Sequence, residues 1–191
     1  MNTLTRLLTY TLVMLVALCL AGPSRGFAHA RGGVGTWTPL ANLPDVSLGI
    51  CILVPDGTVM CQEANGSSQW RRLTPDGNGR YVNGTWTTMP SITDSRDLYA
   101  SQVLRDGRVW VGGGEFGFGE SFQIYQPRDD TWTEVPTPGF NAYGQSKQLP
   151  NGNLLLSPID AGPGCFPNYC TFIFDIVTNT LTRTPNPGGT F

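Results

Sequence analysis

Residues 112–117 read Gly-Gly-Gly-Glu-Phe-Gly and match the spacing G-x-G-x-x-G. In a dinucleotide-binding protein such glycines let the backbone amides opening a helix cradle a pyrophosphate. Carboxylates gather nearby in the chain as Asp94, Asp97, Glu115 and Glu120, with Asp160 further along. A facing pair of such groups is the acid and base of glycoside hydrolysis, although acids in loops are usually just solvated. Four cysteines follow residue 50: Cys51 and Cys61 with nine residues between them, and Cys165 and Cys170 with four. That is not a zinc-knuckle pattern, and in an exported chain it favours disulfides. Histidine occurs once, as His29.

The place of His29 matters for all of this chemistry. Arg6 supplies a basic n-region, Leu12 to Leu20 an apolar run of nine residues, and Ala28-His29-Ala30 a small-x-small cleavage site. Together these make a secretory signal peptide. The run is too short to span a bilayer. Leu18 stands where a lipoprotein needs a small residue before its modified cysteine, so Cys19 is read as part of the apolar run. Residues 1–30 are expected to be removed and the protein to be secreted or periplasmic. The remaining 161 residues, from Arg31, contain no histidine. No Ser-His-Asp or Cys-His pair can form there, and no imidazole can hold zinc or copper. Catalysis is therefore not expected, nor is a metal or another cofactor. With Arg6 and Arg25 lost, 10 basic residues face 14 acidic ones, a net charge of −4, and the charges are scattered. Nucleic acid and anionic lipid are excluded as partners on that ground, and no later segment reads as a membrane span.

The elements that position these residues are strands. The chain has 24 glycines and 15 prolines, and beyond the leader no window carries a sustained i, i+3, i+4 apolar stripe, which indicates an all-β chain. It also repeats. Val54-Pro-Asp-Gly-Thr-Val59, Leu104-Arg-Asp-Gly-Arg-Val109 and Leu149-Pro-Asn-Gly-Asn-Leu154 superimpose, their turn residues Asp56, Asp106 and Asn151 lying 50 and 45 positions apart. A second mark keeps the same period: Trp37-Thr, Trp86-Thr, Trp132-Thr and Leu181-Thr are spaced by 49, 46 and 49, each with a proline following. In the middle unit, strand A is Tyr99 to Leu104, B Arg108 to Gly112, C Ser121 to Gln126 and D Thr131 to Val135. Asp-Gly between apolar runs is a hairpin signal because glycine takes positive φ without steric cost. Units at about 48–90, 97–136 and 143–185 then describe four-stranded β-propeller blades.

This reading places the glycines of 112–117 before Ser121-Phe-Gln-Ile-Tyr125, which alternates as a strand does. The fingerprint lacks its helix and is read as coincidental, the glycines serving close backbone approach between blades near the axis. Strand parity puts A-to-B and C-to-D turns on one face and B-to-C and D-to-A loops on the other. The second face collects residues 91–98, 113–120, 137–141 and 157–170, and with them Arg96, Glu115, Phe116, Phe118, Phe140, Asp160 and Tyr169. An arginine, acids and aromatics on one face suit recognition of a sugar or a peptide; the competing role for the aromatics is to cap blade cores. Trp37, Trp86 and Trp132 read as strand D core residues, and Trp110 as packed between blades. Asn65-Gly-Ser67 and Asn83-Gly-Thr85 are glycosylation sequons in a eukaryotic secreted protein, but Asn-Gly is equally what a turn needs.

With these marks the chain resembles the kelch family of β-propellers. The resemblance rests on the Asp-Gly hairpin, on Gly112 to Gly114 after strand B, and on Tyr125 followed by Trp132 after a short polar turn. Unit one has Cys61-Gln62 in place of the glycine pair, and unit three has Ser157-Pro158 there and Leu181 for the tryptophan. The segment Arg96 to Val109 is also similar to that of the galactose oxidase family, which implies a substrate-contacting arginine at Arg96. That family holds copper with histidine and tyrosine, one tyrosine being cross-linked to a cysteine. Here the cross-linked position falls near Leu73, and Cys51 is offset from the cysteine position, so copper-radical chemistry is not implied for this chain. What the resemblance does imply is a secreted kelch-type module binding a glycan or an extracellular protein through its B-to-C and D-to-A loops, with Arg96, Glu115, Phe116, Phe118 and Asp160 as contacts. The alternative is a fragment or degraded relative of a carbohydrate-oxidising enzyme of the galactose oxidase type.

Two structural expectations complete the reading. A three-residue Pro-Asp-Gly loop makes Val54 face Thr58, and counting outward sets Cys51 opposite Cys61 as a non-hydrogen-bonded pair within disulfide reach. Cys165 and Cys170 then pair by default. Trp37-Thr-Pro-Leu reads as a fourth D strand with no A, B and C strands before it, whereas closed propellers need about four to eight blades. The expected fold is thus an incomplete kelch-like β-propeller of about three four-stranded blades plus an orphan N-terminal strand. Its terminal blades would turn an apolar flank to water, as a piece of a longer protein or as a chain that self-associates through open blade edges.

Overall fold

In a computed structural model, residues 35–114, 121–135, 144–158 and 170–184 are described. Two compact units are distinguished, Met1–Thr38 and Pro39–Phe191. In the first, residues 35–38 have no regular structure and Trp37 is exposed. The orphan D strand expected there is not formed. A D strand is held by the ladder of a C strand, and the described residues offer Trp37 none.

The described residues of Pro39–Phe191 form twelve strands: β1 (Leu48–Leu53), β2 (Val59–Glu63), β3 (Trp70–Thr74), β4 (Thr85–Met89), β5 (Ala100–Val103), β6 (Val109–Gly112), β7 (Phe122–Gln126), β8 (Thr131–Val135), β9 (Gly144–Gln148), β10 (Leu154–Pro158), β11 (Phe172–Asp175) and β12 (Thr180–Arg183). They form three four-stranded antiparallel sheets, each in chain order, which are the blades of an incomplete propeller. The repeat has a local cause in the A-to-B turns. Gly57, Gly107 and Gly152 take φ of 85°, 90° and 96°, a region open to glycine at no steric cost. Asp56, Asp106 and Asn151 each accept, on Oδ1, the amide two residues on, at 2.8, 3.1 and 3.1 Å. The turn residues recur because each hairpin needs both devices.

The blades pack face to face through alternation along the strands. Met60 and Trp70 of the first blade meet Val109, Val111 and Tyr125 of the second. One residue out of phase, Trp110, Phe122 and Ile124 meet Leu154, Leu156, Phe172 and Phe174 of the third. Trp110 is fully buried, 5.0 Å from the Phe122 ring and 6.3 Å from that of Phe174. The strand D tryptophans are only half-buried. Trp132 lies 5.3 Å from Trp70 and 5.2 Å from Tyr125, and its indole N–H reaches Pro90 O at 3.0 Å, as Trp86 reaches Asn42 O at 3.1 Å. The D-strand tryptophan thus holds the linker entering its own blade, a role that core packing alone does not describe.

The first two blades are also tied by charge. Arg72 donates to the Tyr125 hydroxyl and, at 2.6 Å, to Asp130 Oδ1, which accepts the Tyr125 hydroxyl at 2.6 Å as well. Burial acts to raise the pKa of Asp130, but the hydrogen bonds from Tyr125 and Arg72 outweigh it and hold the carboxyl below its usual range.

The outer flank of the first blade is more polar than the bare apolar face expected, while that of the third is apolar as expected. On the first blade that flank carries the disulfide between Cys51 and Cys61, which face each other across β1 and β2 with Cα atoms 4.1 Å apart. Beside it Arg71 pairs with Asp45 at 3.0 Å and Glu63 at 2.7 Å. The segment before β1 is strapped down by Ala41 N–H to Val82 O at 2.7 Å, and Leu43 and Leu53 stay exposed. On the third blade, the places held by Trp110 and Ile124 in the second are taken by Leu155 and Ile173, paired across β10 and β11 and partly exposed.

Two outcomes follow from this packing. Trp110→Ala is expected to destabilise the protein by about 3–5 kcal/mol in urea titrations, because one indole fills the seam between two blades. For Asp130, a folded pKa below the unfolded value of about 3.9 means that its contribution is present above that value and is lost as pH falls through the folded one. The stability difference between the native chain and Asp130→Asn should therefore shrink on acidification from about pH 5 to pH 2. A difference that stays constant over that window would contradict the tie.

Candidate functional site

The meander order brings the B-to-C and D-to-A connections to one end of the sheets. Of the residues expected to line that end, Arg96 is described; Glu115, Phe116, Phe118 and Asp160, together with Glu120, Phe140 and Tyr169, lie outside the described residues. The glycines of 112–117 lead on to β7, a strand, and no helix occurs among the described residues. Gly112 makes room within its own blade: a Cβ there would collide with the Trp110 ring and meet the Phe122 ring at 2.7 Å. Gly114, with φ of 144°, lies against the linker, its would-be Cβ 3.1 Å from both Arg96 Cβ and Asp97 O. The closeness therefore serves a ring pair and a linker, where an approach of two blades was expected.

Arg96 is fully buried. Its Nη1 donates to Gly113 O at 3.0 Å and Ser121 O at 3.1 Å, the two ends of the chain crossing from β6 to β7. Nη2 lies 3.6 Å from Asp94 Oδ2, an ion pair without a hydrogen bond, and among the described residues neither Nη2 nor Nε has a hydrogen-bond partner. Burial pushes the guanidinium pKa down while the Asp94 charge opposes it. The Asp94 carboxylate is shared, since Oδ2 accepts the Ser121 hydroxyl at 2.7 Å. Asp97 is exposed and caps the next amide, accepting Leu98 N–H at 2.9 Å. Tyr99 then returns to the core, its hydroxyl buried without a hydrogen-bond partner among the described residues and its pKa pushed up by burial.

Two glutamines that sequence reasoning passed over hold the same linker. Gln62 Nε2 donates to Arg96 O at 2.7 Å and to Ser67 O. Gln123 Oε1 accepts Thr93 N–H at 3.2 Å, and its Nε2 donates to the Thr93 hydroxyl. A signal for Gln62 was present, for it occupies the place of Gly112 in the repeat. That departure from the glycine pair exchanges backbone closeness for a side-chain tether.

The positions compared with a copper-radical centre do not fit one. Cys51 is consumed by its bond to Cys61, and Leu73 is buried in the first blade. Among the described residues no three His, Cys, Asp or Glu side chains are grouped to hold a metal. Cys170 is disulfide-bonded, and its expected partner Cys165 lies outside the described residues. Two shallow concavities lie away from Arg96: one of about 250 Å³ against Trp86 and Arg71, the other of about 200 Å³ among the turns at Asp56 and Asp106. The charged groups of the first, Arg71 and Asp45, are already paired with each other, as Asp106 of the second is with Arg108, and neither concavity includes Arg96.

Gly114→Ala is expected to cost about 1–3 kcal/mol, because it sets a side chain at a strained φ against backbone that cannot yield. Gly77→Ala is its control, with nothing within 4 Å of the added carbon. Equal denaturant midpoints for the two variants would show that the linker is not pinned at Gly114.

No family model matches the chain. Over 92 residues it is 34% identical to an F-box/kelch-repeat protein of Arabidopsis thaliana, a match covering 44% of this chain and 19% of the relative. The solved structure of YjhT superposes with a TM-score of 0.51 at 17% identity, covering 71% of this chain and 50% of that one. The matched parts thus span about a fifth of the plant protein and half of the solved structure. The first likeness supplies the kelch repeat and the second the propeller fold. Both agree with the Asp-Gly hairpins and four-stranded blades described above: the chain has a β-propeller fold and is similar over part of its length to a kelch-repeat protein.

Proposed function

We propose that this kelch-type chain is a secreted, non-catalytic binding module that takes a glycan or an extracellular protein on the face built from its B-to-C and D-to-A loops. The supporting observation is Arg96. A guanidinium fully buried beside one carboxylate at 3.6 Å, with Nε and Nη2 unmatched among the described residues, is a costly arrangement for stability alone. What it gains is a loop whose two stems, Gly113 and Ser121, are clamped to one rigid planar group. A loop ordered in advance loses less entropy when a ligand binds. In this reading the contacts are Glu115, Phe116 and Phe118, which follow Gly113 in the chain, and Asp160, which follows β10, while Arg96 positions the connection that carries the first three.

The test uses the whole chain expressed with residues 1–30 and recovered from medium or periplasm, where N-terminal sequencing is expected to start at Arg31. Purified protein is passed over glycan and extracellular-protein arrays beside Arg96→Lys, which keeps the charge but lacks the fork. Binding by the native chain and a loss of about tenfold in the variant, equivalent to 1.4 kcal/mol, are expected. Binding unchanged in a folded Arg96→Lys would remove Arg96 from the site.

A further inference from the structure

Among the described residues four that are not glycine have positive φ: Asn65, Leu98, Asp130 and Asn179, at 64°, 49°, 53° and 55°. Asparagine and aspartate enter this region at little cost, because a short polar side chain bonds the local backbone. Leucine has no such compensation. Nor does burial reward the conformation, since Leu98 is 60% exposed. What enforces it lies on either side. Arg96 is fully buried and Tyr99 nearly so. Between them the backbone runs against Gly114 and Gly66, whose would-be Cβ atoms lie 3.1 Å from Asp97 O and 3.5 Å from Asp97 Cβ. The linker from first to second blade is thus anchored before and after Leu98, and this one apolar side chain is turned outward at the loop-bearing end. Strain that neighbours over-determine is characteristic of positions held for a ligand.

We propose that Leu98 is the apolar anchor of a protein-docking site, and that its partner is a polypeptide segment presenting an apolar side chain beside a basic one. The inference rests on the binding role given to this face and narrows it from glycan or protein to protein. An isobutyl group offers a sugar neither an aromatic face nor a hydrogen bond, whereas an apolar side chain gains by covering it. The basic neighbour follows from charge. Asp97 is exposed next to Leu98 and has no ion pair among the described residues, while the one cation of the segment, Arg96, is buried and pairs instead with Asp94 at 3.6 Å.

The experiment compares the native chain with Leu98→Asn, since asparagine tolerates positive φ and removes the apolar surface. The probe is a random-peptide display library selected on the immobilised full chain, with a glycan array in parallel. Expected are peptides enriched in an apolar residue beside Lys or Arg, a loss of about tenfold in their affinity for Leu98→Asn, and a melting temperature in that variant raised by about 2–4 °C as strain is relieved. A lowered melting temperature would make Leu98 a structural residue and overturn the proposal. So would selected peptides that bind both proteins equally. Glycan binding that survives Leu98→Asn, with no peptide enriched, would overturn it and leave the loop-face reading standing. Binding to neither library would overturn both.

Discussion

Burial of the middle sheet on both faces is the constraint on which the remainder depends. All four residues of β6 are buried. Alternation sends Val109 and Val111 toward the first blade and Trp110 toward the third, so one strand serves two seams. A slip of one residue in its register would exchange the valines for the indole and disrupt both seams at once. With register set in this way, the connections fall at fixed ends of the sheets, and residues far apart in sequence, such as Gln62 and Arg96, meet.

Those connections then present a different problem. A D-to-A linker crosses from one blade to the next without a ladder of its own, so its backbone polar groups need other partners. Side chains from the sheets supply them: the buried Gln62 for Arg96 O, the buried Gln123 for Thr93 N–H, and the half-buried Trp132 for Pro90 O. Arg96 completes the scheme in the opposite direction, reaching from the linker back to carbonyls at the ends of β6 and β7. The result is a loop-bearing face whose stems are rigid although they are not strands, and local strain at Leu98 is a consequence of that rigidity.

Strand identities and the hairpin disulfide were legible because they follow from local rules. Asp-Gly and Asn-Gly fixed the three A-to-B turns, and counting outward from Pro55-Asp56-Gly57 placed Cys51 against Cys61. Trp37 misled, because its sequence mark is that of a D strand while the ladder that would make it one must come from elsewhere. The outer flank of the first blade was also misjudged. Arg71 and Cys61 occupy positions that are Gln123 and Val111 in the next blade, and only the pairing of Arg71 with Asp45 and Glu63 reveals a polar surface there.

Composition, turn chemistry and the repeat of 45 to 50 residues determined by themselves that the chain is an all-β array of four-stranded repeats, since hairpins form from contacts between near neighbours. The state of Arg96 was decided only by the tertiary structure. In the sequence it is an arginine among acids in a loop, equally suited to a solvated surface or an ion pair. Its burial against Gly113 and Ser121 arises because two blades close over the linker, and that closure depends on apolar contacts between residues tens of positions apart, which no local pattern encodes.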